Sequence, residues 1–244
     1  MSQMTPQVSA DADAGRAVEA GQGWAWITGG FEMFKKQPGM WIALVLVLFV
    51  ILIVLAIIPL LGALAMLLLM PVFGGGLMVA CQAQQRGGAP EMGHLFAGFK
   101  TQTGNLLVLG ALALGGSIIV MIPVLLIVGV GAFFGAAQGD VAGAATVGGS
   151  FLIAWLLAMA LSIVLYMALW FAPALVVLRG VAPVEAIRRS FFGCLKNIVA
   201  FLIYGIIMMV LSIVASIPLG LGWLVLGPVA VASIYVAYRD IYGD

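Results

Sequence analysis

Side chains able to make or break bonds are few in this 244-residue chain, and they lie far apart. There is one histidine, His94, and there are two cysteines, Cys81 and Cys194. A zinc site needs three or four such ligands at close spacing, and one His with two distant Cys does not supply them. His94 reads as a surface residue. The two thiols fall near the ends of apolar runs, on the side where cations gather. They read as small packing residues kept reduced, without a disulfide. Ser117, Ser162, Ser212 and Ser216 lie inside apolar runs. A serine nucleophile needs a neighbouring base; none accompanies them, so their hydroxyls are expected to bond to helix backbone. No Gly-rich loop ends in Lys-Ser or Lys-Thr, as a phosphate loop would. No catalytic, cofactor or metal residue is assigned, and the chain is expected not to be an enzyme.

What chemistry remains is that of charge and shape. Three short amphipathic segments carry cations opposite rings. The first places Trp24, Ile27, Phe31 and Phe34 on one helical face and Lys35 and Lys36 on the other. The second carries Phe96, Phe99 and Lys100 after a Pro90-Glu91 helix start. The third opposes Val184, Ile187, Phe191 and Leu195 to Arg188, Arg189 and Lys196, and starts at Pro183. Such helices lie in the membrane plane, with rings at the acyl boundary and cations at the headgroups. Lys35, Lys36, Lys100, Arg188, Arg189 and Lys196 are the candidate headgroup contacts, each worth about 1 kcal/mol against an anionic surface. Trp24, Ile27, Phe31, Phe34, Phe96, Phe99 and Phe191 are the candidate interfacial anchors.

Glycine contributes 32 residues, and much of it falls inside the apolar runs, where small residues let helices approach. Gly74, Gly75 and Gly76 follow Pro71. They read as a kink and a packing surface, or else as a break exposing carbonyls. Gly131, Gly135, Gly139 and Gly143 recur every four residues. They form either a smooth helical stripe or a flexible loop bearing Asp140.

The elements that must hold these residues are membrane spans. The chain is 64% hydrophobic and only 8% charged, against roughly 45–50% and about 25% for soluble domains. Met40–Ile58 has no charged or polar side chain, and 15 of its residues are Leu, Ile, Val or Phe. At roughly −0.4 kcal/mol each they favour insertion by about 6 kcal/mol. Five further spans follow: Leu61–Cys81, Leu106–Phe134, Phe151–Leu178, Ile198–Pro218 and Leu221–Tyr238. The runs are continuous, which excludes the alternating strands of a barrel. The expected fold is all-α: six transmembrane helices as three hairpins, each preceded by an interfacial helix. Residues 1–22 read as a disordered cytoplasmic tail, without the apolar core of a signal peptide. Residues 23–244 read as one membrane domain.

All ten Lys and Arg fall on one side of this six-span plan, which puts both termini in the cytoplasm. The net charge of +1 suggests no nucleic-acid partner. Three repeat units are visible, at about 23–86, 90–180 and 183–242. Counting from Phe34, Phe99 and Leu195, an Ile-Pro pair recurs with its proline 25, 24 and 23 residues on, at Pro59, Pro123 and Pro218. A second proline follows at Pro71, Pro173 and Pro228. The middle unit carries an insertion, Gly129–Gly149. This resembles the tripartite plan of mitochondrial carriers, but no acid or base follows each proline, and that match fails.

The stretch Gly23-Trp24-Ala25-Trp26-Ile27 through Phe31, Phe34, Pro38 and Trp41 resembles an uncharacterised bacterial family of six-span integral membrane proteins. Glu185 through Asn197 and Tyr235-Val236-Ala237-Tyr238-Arg239-Asp240 fit the same family. It is distantly similar to the membrane domain of some glycerophosphodiester phosphodiesterases. The resemblance implies the bacterial inner membrane and carries over no catalytic residue. The expected function is a non-enzymatic scaffold or accessory protein contacting membrane lipids, copies of itself or other membrane proteins. The alternative is a transporter or channel for a small or apolar solute, for which a central cavity lined by Ser and Tyr is expected.

Overall fold

The computed structural model describes residues 15–138 and 141–243. Residues 1–14 of the expected tail, and Gly139 and Asp140 of the far loop, lie outside the described residues. The described residues are helical and contain no strand. In chain order the helices are α1 (Gln22–Lys36), α2 (Pro38–Ala56), α3 (Leu61–Gln85), the single turn α4 (Met92–Leu95), α5 (Thr103–Gln138), α6 (Val141–Leu169), α7 (Ala172–Arg179), α8 (Pro183–Lys196), α9 (Ile198–Ser216) and α10 (Trp223–Tyr242). A 3-10 turn, Ala97–Phe99, follows α4. Six helices are long and apolar enough to cross a membrane, α6 and α7 together forming the fourth.

Local chemistry sets the boundaries. Pro38 and Pro183 open α2 and α8, where a missing N–H costs nothing. Gly180, left-handed at φ 64°, closes α7 and donates its N–H to the Val176 carbonyl. The break between α6 and α7 follows from Pro173, whose ring clashes with the carbonyl four residues back, on Leu169. The two turns on the far side share a backbone: Leu60 (φ 59°) follows Pro59, and Leu219 (φ 54°) follows Pro218. A left-handed leucine at the same place in both turns matches the Ile-Pro periodicity. The middle unit departs from it: Pro123 lies inside α5, not at its end, because the helix runs on through the inserted glycines to Gln138.

The three hairpins differ in how they close. In α5–α6 the contact is continuous, and glycine makes it possible. A Cβ on Gly116 would lie 2.6 Å from Leu165, one on Gly135 2.5 Å from Val147, and one on Gly131 would strike Ser150. The inserted segment is thus helical up to Gln138 and again from Val141, and Gly131, Gly135 and Gly143 pack within the chain. In α2–α3 and α9–α10 the helices touch closely near the turns, where Gly62 meets Leu55 and Gly222 meets Ala215. Beyond the turns they diverge as a V.

Each V is filled by a helix from elsewhere in the chain. Helix α1 enters the V of α9–α10. Gly30 backs onto Val229 and Ser233, and a Cβ there would lie 2.7 Å from the Val229 carbonyl oxygen and the Ser233 nitrogen. The α4 turn and the 3-10 turn pack on α3, with Gly76 against Leu95 and Gly98 against Val72. Helix α8 packs on the α6–α7 break. So each amphipathic element docks on the hairpin before it, and α1 closes the ring by docking on the last. Half of the most apolar window of α3 and of α10 is buried, against 6% to 17% for the other four spans. These two form the inner pair, and the others present most of their surface outward.

Candidate functional site

Both described chain ends meet at the cationic end of the bundle. Arg16 pairs with Asp240, whose other oxygen accepts the Trp26 indole N–H at 2.9 Å. Asn197 accepts the Val18 N–H at 2.7 Å and donates to the Arg16 carbonyl at 3.0 Å. Residues 15–18 of the expected tail are therefore held against α10 and the α8–α9 corner. Arg179 donates to the Tyr242 carbonyl at 2.8 Å, and Tyr242 donates its hydroxyl to the Arg189 carbonyl at 2.9 Å.

The candidate headgroup cations fall into two sets. Lys35 pairs with Glu32 at 2.6 Å, Arg188 and Arg189 share Glu185 at 3.5 and 2.9 Å, and Lys196 donates to the Gly15 carbonyl at 3.1 Å. Their charge is partly engaged by the protein itself. Lys36 and Lys100 are exposed, with no ion pair among the described residues. They are the least encumbered of the six.

The candidate anchors also divide. Trp24, Phe31, Phe96 and Phe99 are exposed and Phe191 is half-buried. Ile27 and Phe34 are instead buried in the core, together with Trp26 and Met33. The reason is the docking of α1: a helix held in a V is covered on two sides, so its apolar stripe cannot all face lipid. Trp26 packs on Phe201 at 5.1 Å and Tyr204 at 6.2 Å. Gly74 lies against Pro173, Gly75 against Leu106 and Val177, and Gly76 against Leu95, so α3 passes through them unbroken as a packing surface.

Several buried polar groups tie the ring. Trp41 donates its indole N–H to Gln84 at 2.9 Å, and Gln84 donates to the Met33 carbonyl at 2.9 Å, joining α1, α2 and α3. Tyr204 and Ser233 share a 2.8 Å bond between α9 and α10. The fully buried Ser190 of α8 accepts the Phe171 N–H at 2.9 Å and donates to the Met167 carbonyl at 2.8 Å. It thereby satisfies the backbone freed by the Pro173 break. Periodicity did not mark Gln84, Ser190 or Asn197. Gln84 and Asn197 lie at the edges of apolar runs, and Ser190 lies between Arg189 and Phe191 inside the third amphipathic segment. Ser117 and Ser212 bond to carbonyls four residues back in their own helices, at 2.9 and 2.7 Å, as a span serine without a partner does. His94 accepts the Glu91 N–H at 2.9 Å and closes the α4 turn. Both cysteines are free and buried. Burial pushes the Cys194 thiol up to about 12, against a smaller lowering by its hydrogen bond with Ser190. Among the described residues no three His, Cys, Asp or Glu side chains come together as a metal site.

Three cavities follow from the diverging hairpins. One of about 550 Å³ lies in the V of α9–α10 beneath α1, from Trp24 and Phe31 to Pro218. A second, of about 650 Å³, is a cleft between α6 and α9, walled by Trp170, Phe201 and Tyr204. The third, of about 230 Å³, lies where all three hairpins meet: Leu48 of α2, Phe73 and Met78 of α3, Pro173 of α7 and Ile234 of α10. A central cavity exists, then, but its wall is Leu, Met, Phe and Ile, not the Ser and Tyr expected of a path for a polar solute. Trp170 and Ile234 line both the cleft and the central cavity.

The chain is similar to a probable inner membrane protein of Burkholderia thailandensis, 28% identical over 251 aligned positions covering 93% of each chain. No family model matches the chain, and no solved structure matches it. With six apolar helices of spanning length, it is a multi-pass membrane protein.

Proposed function

We propose that this protein is a non-enzymatic scaffold of the bacterial inner membrane that works by engaging lipid, with its cationic end and both termini in the cytoplasm. The observation that carries this reading is the closed ring of three amphipathic elements, each docked on a hairpin with cations at its rim. The buried side chains of Gln84, Ser190, Asn197, Tyr204 and Ser233 are engaged in bonds that join one element to another. The surrounding spans expose almost nothing but apolar surface. Lys36 and Lys100 would meet anionic headgroups first. The likeness to the membrane domain of glycerophosphodiester phosphodiesterases belongs to the same proposal and supplies no catalytic residue.

The test is lipid dependence in the absence of flux. Thermal stability of the full chain in nanodiscs should rise when phosphatidylglycerol replaces phosphatidylcholine. Lys36→Gln with Lys100→Gln should remove most of that rise, and Arg188→Gln with Arg189→Gln less of it. Saturable movement of a defined solute by proteoliposomes would defeat the scaffold reading. It would favour the second one, a carrier of a small apolar solute, which draws on the shared wall between the cleft and the central cavity.

A further inference from the structure

The cleft between α6 and α9 is built for one kind of occupant. Its wall includes Ile163, Tyr166, Trp170, Phe201, Gly205 and Met208. Its outer lips are exposed: Ile163 by 53%, Tyr166 by 66% and Leu202 by 59%. Those residues belong to spanning helices, so the cleft opens sideways into the bilayer and not into water. Its volume of about 650 Å³ is several times that of a dry cavity that holds benzene, roughly 150 Å³. It lies within the range of ligand sites, roughly 300–1,000 Å³. A wall this apolar gives water too few partners to stay.

The wall carries few polar groups: the Tyr166 and Tyr204 hydroxyls, the Cys194 thiol and the Trp170 indole. The Trp170 indole N–H makes no hydrogen bond to the described residues. Its ring stands edge-on to Phe201 at 6.0 Å and Tyr204 at 6.1 Å. Both lie in the first two turns of α9, which starts at Ile198, two residues past Lys196 at the α8–α9 corner. Trp170 is therefore just below the cationic rim, the depth at which indoles meet the headgroup boundary. Inward from Trp170 the wall continues into the central cavity, through Ile234.

We propose that this cleft binds one acyl chain of a membrane phospholipid. The chain lies between α6 and α9, its ester carbonyl accepts the Trp170 N–H, and its tail points toward the central cavity. The assignment rests on the lipid-engaging reading above and adds the place, the part of the lipid and the residue that orients it. Gly205 lies in the cleft wall, and a Cβ added there meets nothing within 4 Å. A large side chain at 205 fills the cleft without displacing the protein.

The experiment uses the full chain in phosphatidylethanolamine–phosphatidylglycerol liposomes with a trace of phosphatidylcholine carrying a photoactivatable diazirine on its acyl chain. Labelled peptides are mapped by mass spectrometry. Residues 163–170 and 198–208 should label at least fivefold above residues 118–126 of α5, whose Ile118, Ile119, Met121, Ile122, Leu125 and Leu126 are exposed and line none of the three cavities. Gly205→Phe should abolish that enrichment. Gly115→Phe should not, since a Cβ at Gly115 also meets nothing within 4 Å but the residue lies outside the cleft. Trp170→Phe, or an ether-linked lipid without the carbonyl, should lower the enrichment about fivefold, the worth of one hydrogen bond. The proposal is overturned by even labelling of all spans, or by enrichment that survives Gly205→Phe. Disulfide-linked dimers through Tyr166→Cys without chain labelling would assign the cleft to a second copy and also overturn it. Even labelling alongside retained phosphatidylglycerol-dependent stability would remove the cleft assignment alone and leave the scaffold reading standing.

Discussion

Replacing Gly30 with alanine adds one methyl group where the backbone of α1 crosses that of α10. The added carbon would lie 2.7 Å from the Val229 carbonyl oxygen and from the Ser233 nitrogen, and 3.0 Å from the Ser233 Cα. All three are backbone atoms of α10, so no side chain can swing away. Either α1 lifts by several tenths of an ångström or α10 bends. Overpacking of this kind costs about 1–3 kcal/mol. Here the upper part of the range applies, because the displaced helix also carries Trp26, with its bond to Asp240, and the Met33 carbonyl held by Gln84. For a chain of this size 1 kcal/mol moves the melting temperature by about 2–4 °C. A fall of about 4–12 °C is expected, read by fluorescence-detected size exclusion after heating in detergent. Gly39→Ala is the control: a Cβ there meets nothing within 4 Å, and alanine favours a helix by up to about 1 kcal/mol over glycine. That variant should melt at or slightly above the parent temperature. If Gly30→Ala melts with Gly39→Ala, α1 does not sit in the V, and the closed ring is wrong.

Ser190→Ala leaves the Phe171 N–H and the Met167 carbonyl without their bonds at a fully buried site. It should destabilise by about 1–3 kcal/mol, seen as an earlier loss of the monodisperse peak, whereas Ser212→Ala should change little. Leu219→Gly should stabilise by about 1 kcal/mol, since a left-handed backbone disfavours a side chain by about that much; an unchanged or lower melting temperature would count against the turn geometry. Cys194, with its thiol near 12, should react with maleimide about tenfold faster per pH unit and show no plateau up to pH 10. A plateau near pH 9 would mean an exposed thiol. Its folded value lies above the unfolded one, so its contribution to stability is complete below pH 9 and declines as pH rises toward 12.

How much of this was legible in the chain varies with the kind of interaction. Met40–Ile58 announces a span because every side chain in it prefers hydrocarbon, whatever its neighbours do. The turns after Pro59 and Pro218 share a left-handed leucine, at 60 and 219. Pro123 broke the pattern because the residues after it could continue the helix once α6 was alongside. The apolar stripe of α1 divides in the fold: Trp24 and Phe31 are exposed, whereas Ile27 and Phe34 are buried within the protein. A hydrophobic stripe reports only that water is excluded, and lipid and protein interior satisfy it equally.

Hydropathy by itself determined the six spans and the all-helical fold. These are properties of single residues or short runs in a solvent. Tertiary structure alone decided that α1 docks on the last hairpin, that Gln84, Ser190 and Asn197 lock the ring, and that Trp170 lines both the cleft and the central cavity. Those facts depend on which backbone approaches which across more than a hundred residues. The approach is set by where glycines allow contact and where hairpins diverge, a geometry that no local window of sequence contains.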